Sequence, residues 1–258
     1  MAPDLIKILE RACWAPSGDN CQPWTFEVLP DNGLRIHAVH DRENVYEYKD
    51  GRPTWYAVGA LIENIRLAAA PFGKVCQITR IQDFVDGRGS VDLTFETRDV
   101  AYDPLEKQIE QRTVTRSAYT AKDIDAACIQ ALEESVSDHF VVKWHAGFAG
   151  KMKMVRLNMM ATRIRLSIRE AFDVHVKIID WDHDFSVSAI PAKALGMSPM
   201  TLVMTRMVMK SWQRMSFFAK YLGGTLTPRL ELDLVPGLLC ARHFTIHFRE
   251  RKQDQTIA

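Results

Sequence analysis

The sequence predicts a protein of mixed α and β elements in which antiparallel strand pairs are packed by amphipathic helices, and three stretches carry that expectation. Residues 25–29 and 34–39 alternate apolar and polar side chains around Pro30-Asp31-Asn32-Gly33. Asn-Gly between alternating runs is a hairpin signal, because glycine accepts a positive φ without steric cost. Residues 75–82 and 90–96 repeat the pattern around Asp86-Gly87-Arg88-Gly89. Between the two pairs, Trp55, Val58, Ile62, Ile65 and Ala69 step by three and four, the spacing of one helical face over residues 54–72, with Gly73 as its stop.

Composition narrows the classes of function. A chain of 258 residues can bury a substantial core as one large domain or two small ones. Hydrophobic residues at 47% and charged residues at 25% are ordinary for a globular protein. A net charge of +1 argues against a dedicated nucleic-acid binder, which carries a basic excess. The five cysteines, Cys13, Cys21, Cys76, Cys128 and Cys240, are scattered and include no C-x-x-C pair, so reduced thiols are expected. The N-terminus lacks a basic segment followed by an apolar one, and no uninterrupted apolar run is long enough to span a bilayer. A cytoplasmic protein without an integral membrane segment is the expectation.

The remaining elements follow in chain order. Residues 5–14 read as a short helix that Pro16 stops. Residues 105–111 look helical, and the composition break at Pro104 divides the chain into residues 1–104 and 105–258. Thr120-Ala121-Lys122-Asp123 resembles a capping box that opens a helix to about Val136, with Ile124, Cys128, Ala131 and Leu132 on its buried face. Residues 140–145 read as a core strand. Residues 152–168 read as a long helix with Met152, Val155, Met159 and Leu166 on one side and most of its lysines and arginines on the other. Asp180-Trp181-Asp182-His183-Asp184 crowds carboxylates around a histidine. No second histidine lies three or four residues away and EF-hand spacing fails, so no metal site is read there.

Residues 199–222 read as one further helix. Met200, Met204, Met207, Val208, Met215, Phe218 and Leu222 follow helical spacing, opposed by Arg206, Lys210 and Arg214. A methionine-rich face is adaptable: it can pack in a core, join two subunits, cover a ligand or, with basic flanks, lie on a membrane. Core or subunit packing is expected, since an amphipathic helix must bury its face somewhere. Residues 243–248 alternate as a last strand, and 249–258 form a polar tail.

The stretch with the most chemistry is Ala15-Pro16-Ser17-Gly18-Asp19-Asn20-Cys21-Gln22-Pro23-Trp24. Its prolines exclude helix on either side, and the polar residues between them favour turns and offer many donors and acceptors. Such a loop between apolar elements suits a planar, polar-edged ligand, or it satisfies its own backbone with its side chains. The decapeptide resembles the A-P-S-x-x-N-x-Q-P-W loop of the nitroreductase family of FMN-dependent oxidoreductases. Ala15, Pro16, Ser17, Asn20, Gln22, Pro23 and Trp24 all fall in register. In that family the loop lies against the flavin ring, so the resemblance implies Pro16, Ser17, Gly18, Asn20 and Gln22 as flavin contacts.

Arg112-Thr113-Val114-Thr115-Arg116 alternates basic and hydroxyl groups, which suits a phosphate through paired guanidinium donors, or forms a solvated basic turn. It resembles the family's R-x-S-x-R element, which grips the flavin phosphate and ribityl chain. By that resemblance Arg112, Thr113 and Arg116 are cofactor contacts. Here the element follows the loop by about ninety residues, an order similar to that of the divergent Acg-type branch, in which two nitroreductase-like halves are joined in one chain and some members have lost the flavin. Residues 187–197 resemble that branch's D-G-L-P-x-x-x-L-G segment, with Ser188-Ala189 in place of Asp-Gly.

The resemblance implies an α+β fold, with antiparallel-dominated sheets packed by helices and two related halves in one chain, assembled as a homodimer. The implied activity carries two electrons from NAD(P)H through FMN at its N5 to a small-molecule acceptor such as a nitroaromatic, a quinone or an enone. The cofactor performs the reaction, and no catalytic acid, base or nucleophile is assigned. Two further classes stand beside this one. One is an Acg-like protein with weak or no flavin binding, acting by binding or sequestration. The other is a partner- or membrane-surface protein that uses the methionine-rich helix.

Overall fold

The two hairpins join into a single antiparallel sheet. The structure, a computed structural model, describes residues 3–30, 33–41, 44–116 and 118–249. In chain order these form α1 (Pro3–Ala12), β1 (Trp24–Val28), β2 (Leu34–Val39), α2 (Tyr48–Ala69), β3 (Lys74–Val85), β4 (Arg88–Thr97), α3 (Ala126–Glu134), β5 (Phe140–His145) and α4 (Gly147–Arg165). They continue with α5 (Arg169–Ile178), β6 (Ile179–Asp180), β7 (Ile190–Pro191), α6 (Pro199–Val208), α7 (Trp212–Tyr221), α8 (Leu226–Arg229), α9 (Val235–Leu239) and β8 (His243–Phe248). The protein is of mixed α and β class, and its contacts divide it into two compact units. One unit contains residues 1–114 and 169–192, the other 115–168 and 193–258. The division expected at Pro104 differs from this: residues 105–114 group with the first unit, and 169–192 return to it.

In the first unit the strand order is β1-β2-β4-β3, all antiparallel, with Phe26 opposite Ile36 and Ile36 opposite Val91. Alternation puts Leu34, Ile36 and Ala38 of β2 and Val91 and Leu93 of β4 into the core. Ile8 and Ala12 of α1 and Val58, Leu61 and Ile65 of α2 complete it, all but excluded from solvent. Residues 31 and 32 of the first turn lie outside the described residues. Its ends are closed by Leu29 N–H on the Gly33 carbonyl at 2.9 Å and Gly33 N–H on the Pro30 carbonyl at 3.1 Å. In the second turn Asp86 and Gly87 take φ of 51° and 78°, the pair of left-handed residues whose twist matches a hairpin.

α2 begins six residues before the expected Thr54. Gly51 has φ +85°, and a Cβ there would lie 2.7 Å from both His40 and Phe84 ring atoms. That left-handed residue interrupts the first turn, and Pro53, with its preset φ, starts the regular helix. Gly73, in the left-handed region, ends the short 3-10 turn that follows α2.

Arg35 of β2 grips the buried Asp92 of β4 with two bonds, at 2.7 and 2.9 Å. The Arg35 hydrogen bonds hold the Asp92 carboxyl below the usual carboxylate range, against the opposing effect of burial. Arg35→Ala strands that carboxylate, and thermal melting at neutral pH is expected to drop by several degrees. Because the folded pKa is lowered, the pair's contribution is present above about pH 4 and fades as the pH falls through the folded value. The melting difference between Arg35→Ala and the parent chain should therefore shrink in acid.

The second unit departs further from expectation. The 199–222 segment is two helices, because Ser211 caps a new start by accepting from the Arg214 N–H. α3 starts at Ala126 with Asp125 as its cap, accepting from the Cys128 N–H at 2.7 Å, so the capping box at Thr120 does not form. Cys128, Ala131 and Leu132, expected on the buried face, are exposed, and Ile129 is half-buried instead. β5 pairs with β8 from Phe140–Phe248 to His145–His243, but it forms a half-exposed ribbon and not a core strand. Val155 of α4 is fully buried against Gly237, where a Cβ would come within 2.6 Å of its methyl. The expected helix at 105–111 is a 3-10 segment over Pro104–Gln108. α5 and the helical turns at 226–239 were not expected from the sequence.

Candidate functional site

The decapeptide loop is held at both ends by the core of the first unit. Ala15 and Trp24 are 5% and 8% exposed, so the polar residues between them are displayed on a fixed base. The C-terminal end of α1 is tied down by the Asn64 side chain, which donates to the Ala12 carbonyl at 3.4 Å. At the other end Val39 N–H donates to the Pro23 carbonyl at 3.0 Å. Inside the loop the Ser17 hydroxyl accepts from Gln22 N–H at 3.0 Å, closing a short ring.

The bend does not rest on Gly18. Asp19, Asn20 and Gln22 take φ of 52°, 58° and 43°, three non-glycine residues in the left-handed region within four positions. Asp and Asn tolerate that region best among residues with a side chain; Gln22 is the strained member. Such conformations persist only where surrounding bonds over-determine them. Asn20 donates its amide hydrogens to the carbonyls of Ser186 and Ala189, both at 3.1 Å. Gln22 donates to the Val187 carbonyl at 2.9 Å. The strained loop is thus bolted to a segment more than 160 residues away.

That segment is itself closed. Ile179 and Asp180 pair in parallel with Ile190 and Pro191, which brings the ends of residues 181–189 together. Asp180 accepts from the backbone N–H groups of Asp182 and His183 and contacts the His183 ring at 3.0 Å, so it organises the turn. No group of three or more His, Cys, Asp or Glu among the described residues is arranged to hold a metal ion.

Arg112 reaches the same loop. The buried Glu106 pairs with Arg11 of α1, and the Arg11 guanidinium also donates to the Glu106 carbonyl at 3.1 Å. Ile109 is buried in the core. Arg112 N–H donates to the Gln108 carbonyl at 2.8 Å, continuing that turn, and the Arg112 side chain reaches the Trp14 carbonyl at 3.4 Å. Thr113 follows on the surface.

Arg116 belongs to the second unit, where its guanidinium donates to the Ala194 carbonyl at 3.2 Å. Gly196, at φ +78°, packs on the Arg116 backbone so closely that a Cβ would sit 2.8 Å from its carbonyl oxygen. Among the residues singled out from sequence, the structure brings together Ser17, Asn20 and Gln22 within the loop and Arg112 at its start. Pro16 and Gly18 are exposed on it. The partners of Asn20 and Gln22 at 186–189 were the site residues that sequence reasoning missed. The resemblance of residues 187–197 to a family segment was the available signal, but nothing local pointed to contact with the loop.

The loop's own nucleophile is quiet. The Cys21 thiol is pushed up, first by burial around its sulfur and then by the carboxylates of Glu47 and Asp19. It stays protonated at neutral pH, the opposite of a reactive thiolate.

FMN makes two demands on a binding site, one for its phosphate and one for its ring edge. A phosphate needs charged and hydroxyl donors near a surface, and Arg112, Thr113 and Arg116 are exposed groups of that kind. A flavin ring edge carries both a donor and acceptors, and the Asn20 and Gln22 side chains carry both functions on a preset backbone. Both amide hydrogens of Asn20 and one of Gln22 are engaged by 186–189, and the side-chain carbonyl oxygens of both residues are acceptors. The residues fit the group in kind. No protein-family model and no curated protein matches this chain.

Proposed function

We propose that this chain is an FMN-dependent oxidoreductase with a nitroreductase-like fold of two related halves. It would take two electrons from NAD(P)H and deliver them to a small electrophilic acceptor, a nitroaromatic, a quinone or an enone, and it would act as a homodimer. The observation that supports this reading best is convergence. The Asn20 loop and the Arg112 turn, two stretches with family-like sequence, come together with residues 186–189, at the start of a third: Asn20 and Gln22 bond to 186–189, and Arg112 reaches Trp14 just before the loop.

Bound FMN would supply the redox chemistry, accepting two electrons and passing them on. The chain's residues bind and orient. Arg112, Thr113 and Arg116 would donate to the phosphate, with guanidinium forks supplying paired bonds. Pro16, Ser17, Gly18, Asn20 and Gln22 would present the ring with a polar edge whose backbone is already set, so little ordering remains for binding to impose. Cys21, held protonated, takes no covalent part.

A second reading has its own observation. The amide hydrogens of Asn20 and Gln22 rest on the carbonyls of Ser186, Ala189 and Val187. A chain that satisfies its loop donors internally binds flavin weakly, as in the Acg-like alternative, and would act by binding or sequestration.

Arg116→Ala tests the phosphate assignment. FMN binding is expected to weaken by about tenfold to a hundredfold, the effect of one charged hydrogen bond. Riboflavin, which lacks the phosphate, should bind with unchanged affinity. Titration of both ligands by flavin fluorescence quenching checks this, and equal losses for the two would remove Arg116 from the site.

A further inference from the structure

The two compact units differ sharply in charge, which the chain total of +1 conceals. Residues 1–114 and 169–192 hold fifteen Lys and Arg against twenty-three Asp and Glu, a net of −8. Residues 115–168 and 193–258 hold eighteen against nine, a net of +9. Residues 250–258 are neutral in sum, so the excess lies in the described residues of the second unit.

Within this basic unit α6 presents an apolar stripe outward. Met200, Val203, Met204 and Met207 fall at i, i+3, i+4 and i+7, one stripe along the helix. That stripe faces solvent, with Met200 75% and Val203 67% exposed. The inward side carries Thr201 and Val208, both buried, while Arg206 stays exposed. Glu231 accepts from the Ser198 N–H at 3.0 Å, the Ser198 hydroxyl at 2.9 Å and the Thr201 hydroxyl at 2.9 Å. These bonds fix the helix about its axis, so the outward stripe is built in. The methionine-rich face was expected to be buried in a core or between subunits; within this chain Val208 is buried and Met215 and Phe218 are half-buried, while Met200, Met204, Met207 and Leu222 are exposed.

α7 extends the surface. Arg214 at its start donates to the Met207 carbonyl at 3.5 Å, and its outer face carries Arg214, Phe217, Lys220 and Tyr221. The Phe217 and Tyr221 rings lie 5.3 Å apart and the Lys220 ammonium sits 5.1 Å from the Tyr221 ring centre. Exposed apolar residues at helical spacing, flanked by aromatic and basic side chains, are the chemistry of a helix lying in a bilayer interface. No helix among the described residues is long and apolar enough to cross a membrane, so contact would be peripheral.

We infer that the α6–α7 face docks on an anionic lipid bilayer, inserting Met200, Val203, Met204 and Met207 while Lys210, Arg214 and Lys220 meet the headgroups. Charge selects this occupant over a second copy placed face to face, which would oppose one +9 unit with another. The apolar stripe selects it over a nucleic acid, whose phosphates need basic groups and no inserted aliphatic side chains. The inference does not depend on flavin binding.

The test is sedimentation of the full chain with phosphatidylcholine vesicles, with and without phosphatidylserine, at low and high salt. The chain is expected to pellet with the anionic vesicles only, and less at high salt. Lys210→Gln with Arg214→Gln should weaken partition about 30-fold, from two basic groups near the surface. Met200→Ser with Val203→Ser should weaken it about tenfold or more. All four positions are exposed, and circular dichroism checks that the variants fold. Absence of pelleting with anionic vesicles would overturn the inference, as would partition that neither double variant changes. Self-association abolished by Met200→Ser with Val203→Ser, without lipid binding, would make the face a contact between copies. Binding to RNA that only the charge variants weaken would make it a polyanion site. Either result replaces the lipid assignment.

Discussion

Leu61→Ala is expected to destabilise the first unit by about 2–5 kcal/mol, the range for a buried leucine whose cavity cannot collapse. Leu61 is fully buried in the middle of α2, among Val58, Ile65 and the inward residues of β2 and β4. α2 packs against β2 and β3 and is itself packed by α1, so its backbone cannot move into the cavity without separating from α1. A loss of that size is a large part of the 5–15 kcal/mol typical of a domain. Amide hydrogen exchange in β2 and β4 is the measurement, since it reports the unit in which the change is made. The second unit should keep its protection. Val203→Ala, at an exposed position of α6, serves as a control expected to change stability by less than about 0.5 kcal/mol.

The second large effect is expected at Asn20. Asn20→Ala removes two hydrogen bonds to the 186–189 segment, each with a net contribution of about 1 kcal/mol. It also places alanine at φ +58°, adding roughly 1 kcal/mol of backbone strain that asparagine tolerates better. Local opening of residues 181–189 should therefore become easier by about 2–3 kcal/mol, seen as faster exchange and faster proteolysis there. Asn20→Gly separates the two causes: glycine takes the left-handed backbone without strain but cannot donate, so only the hydrogen-bond part should be lost. FMN affinity should fall about tenfold or more in both variants, if ring orientation depends on this amide. Unchanged protection of 181–189 in Asn20→Ala would show that the loop is held by something other than this side chain.

The parts of the fold legible in the sequence are those that depend on neighbours in the chain. Both hairpins follow from alternation and from turns that tolerate left-handed residues, and β2 falls at the expected 34–39. The main helix follows from the step of Trp55, Val58, Ile62 and Ile65. Elements governed by contacts remote in sequence were not legible. α6 and α7 share a continuous apolar periodicity that hides the new cap at Ser211. The outward turn of α6 depends on Glu231, thirty-three residues after Ser198. Helical turns at 226–239 are obscured by Pro228, Pro236 and Gly237, although Leu226, Leu230 and Leu234 step by four. α5 has Ala171, Phe172 and Val174 buried, a pattern too short to distinguish from a strand.

The candidate site divides in the same way. The loop residues were visible because their order is unusual, and Arg112 because basic and hydroxyl groups alternate there. Their meeting with residues 186–189 had no local trace, since backbone carbonyls accept hydrogen bonds whatever side chain they carry. The same contacts that strengthen the flavin reading also engage the loop's amide hydrogens, so affinity for the cofactor is the quantity on which the account turns.

That quantity is read most directly from an absorbance spectrum of the purified chain, repeated after incubation with FMN and removal of free ligand. The account predicts a visible flavin band near one FMN per chain that survives desalting and is lost in Asn20→Ala. A colourless protein that retains no FMN would contradict it, and the convergence of the Asn20 loop, Arg112 and residues 186–189 would then be a structural join with no redox role.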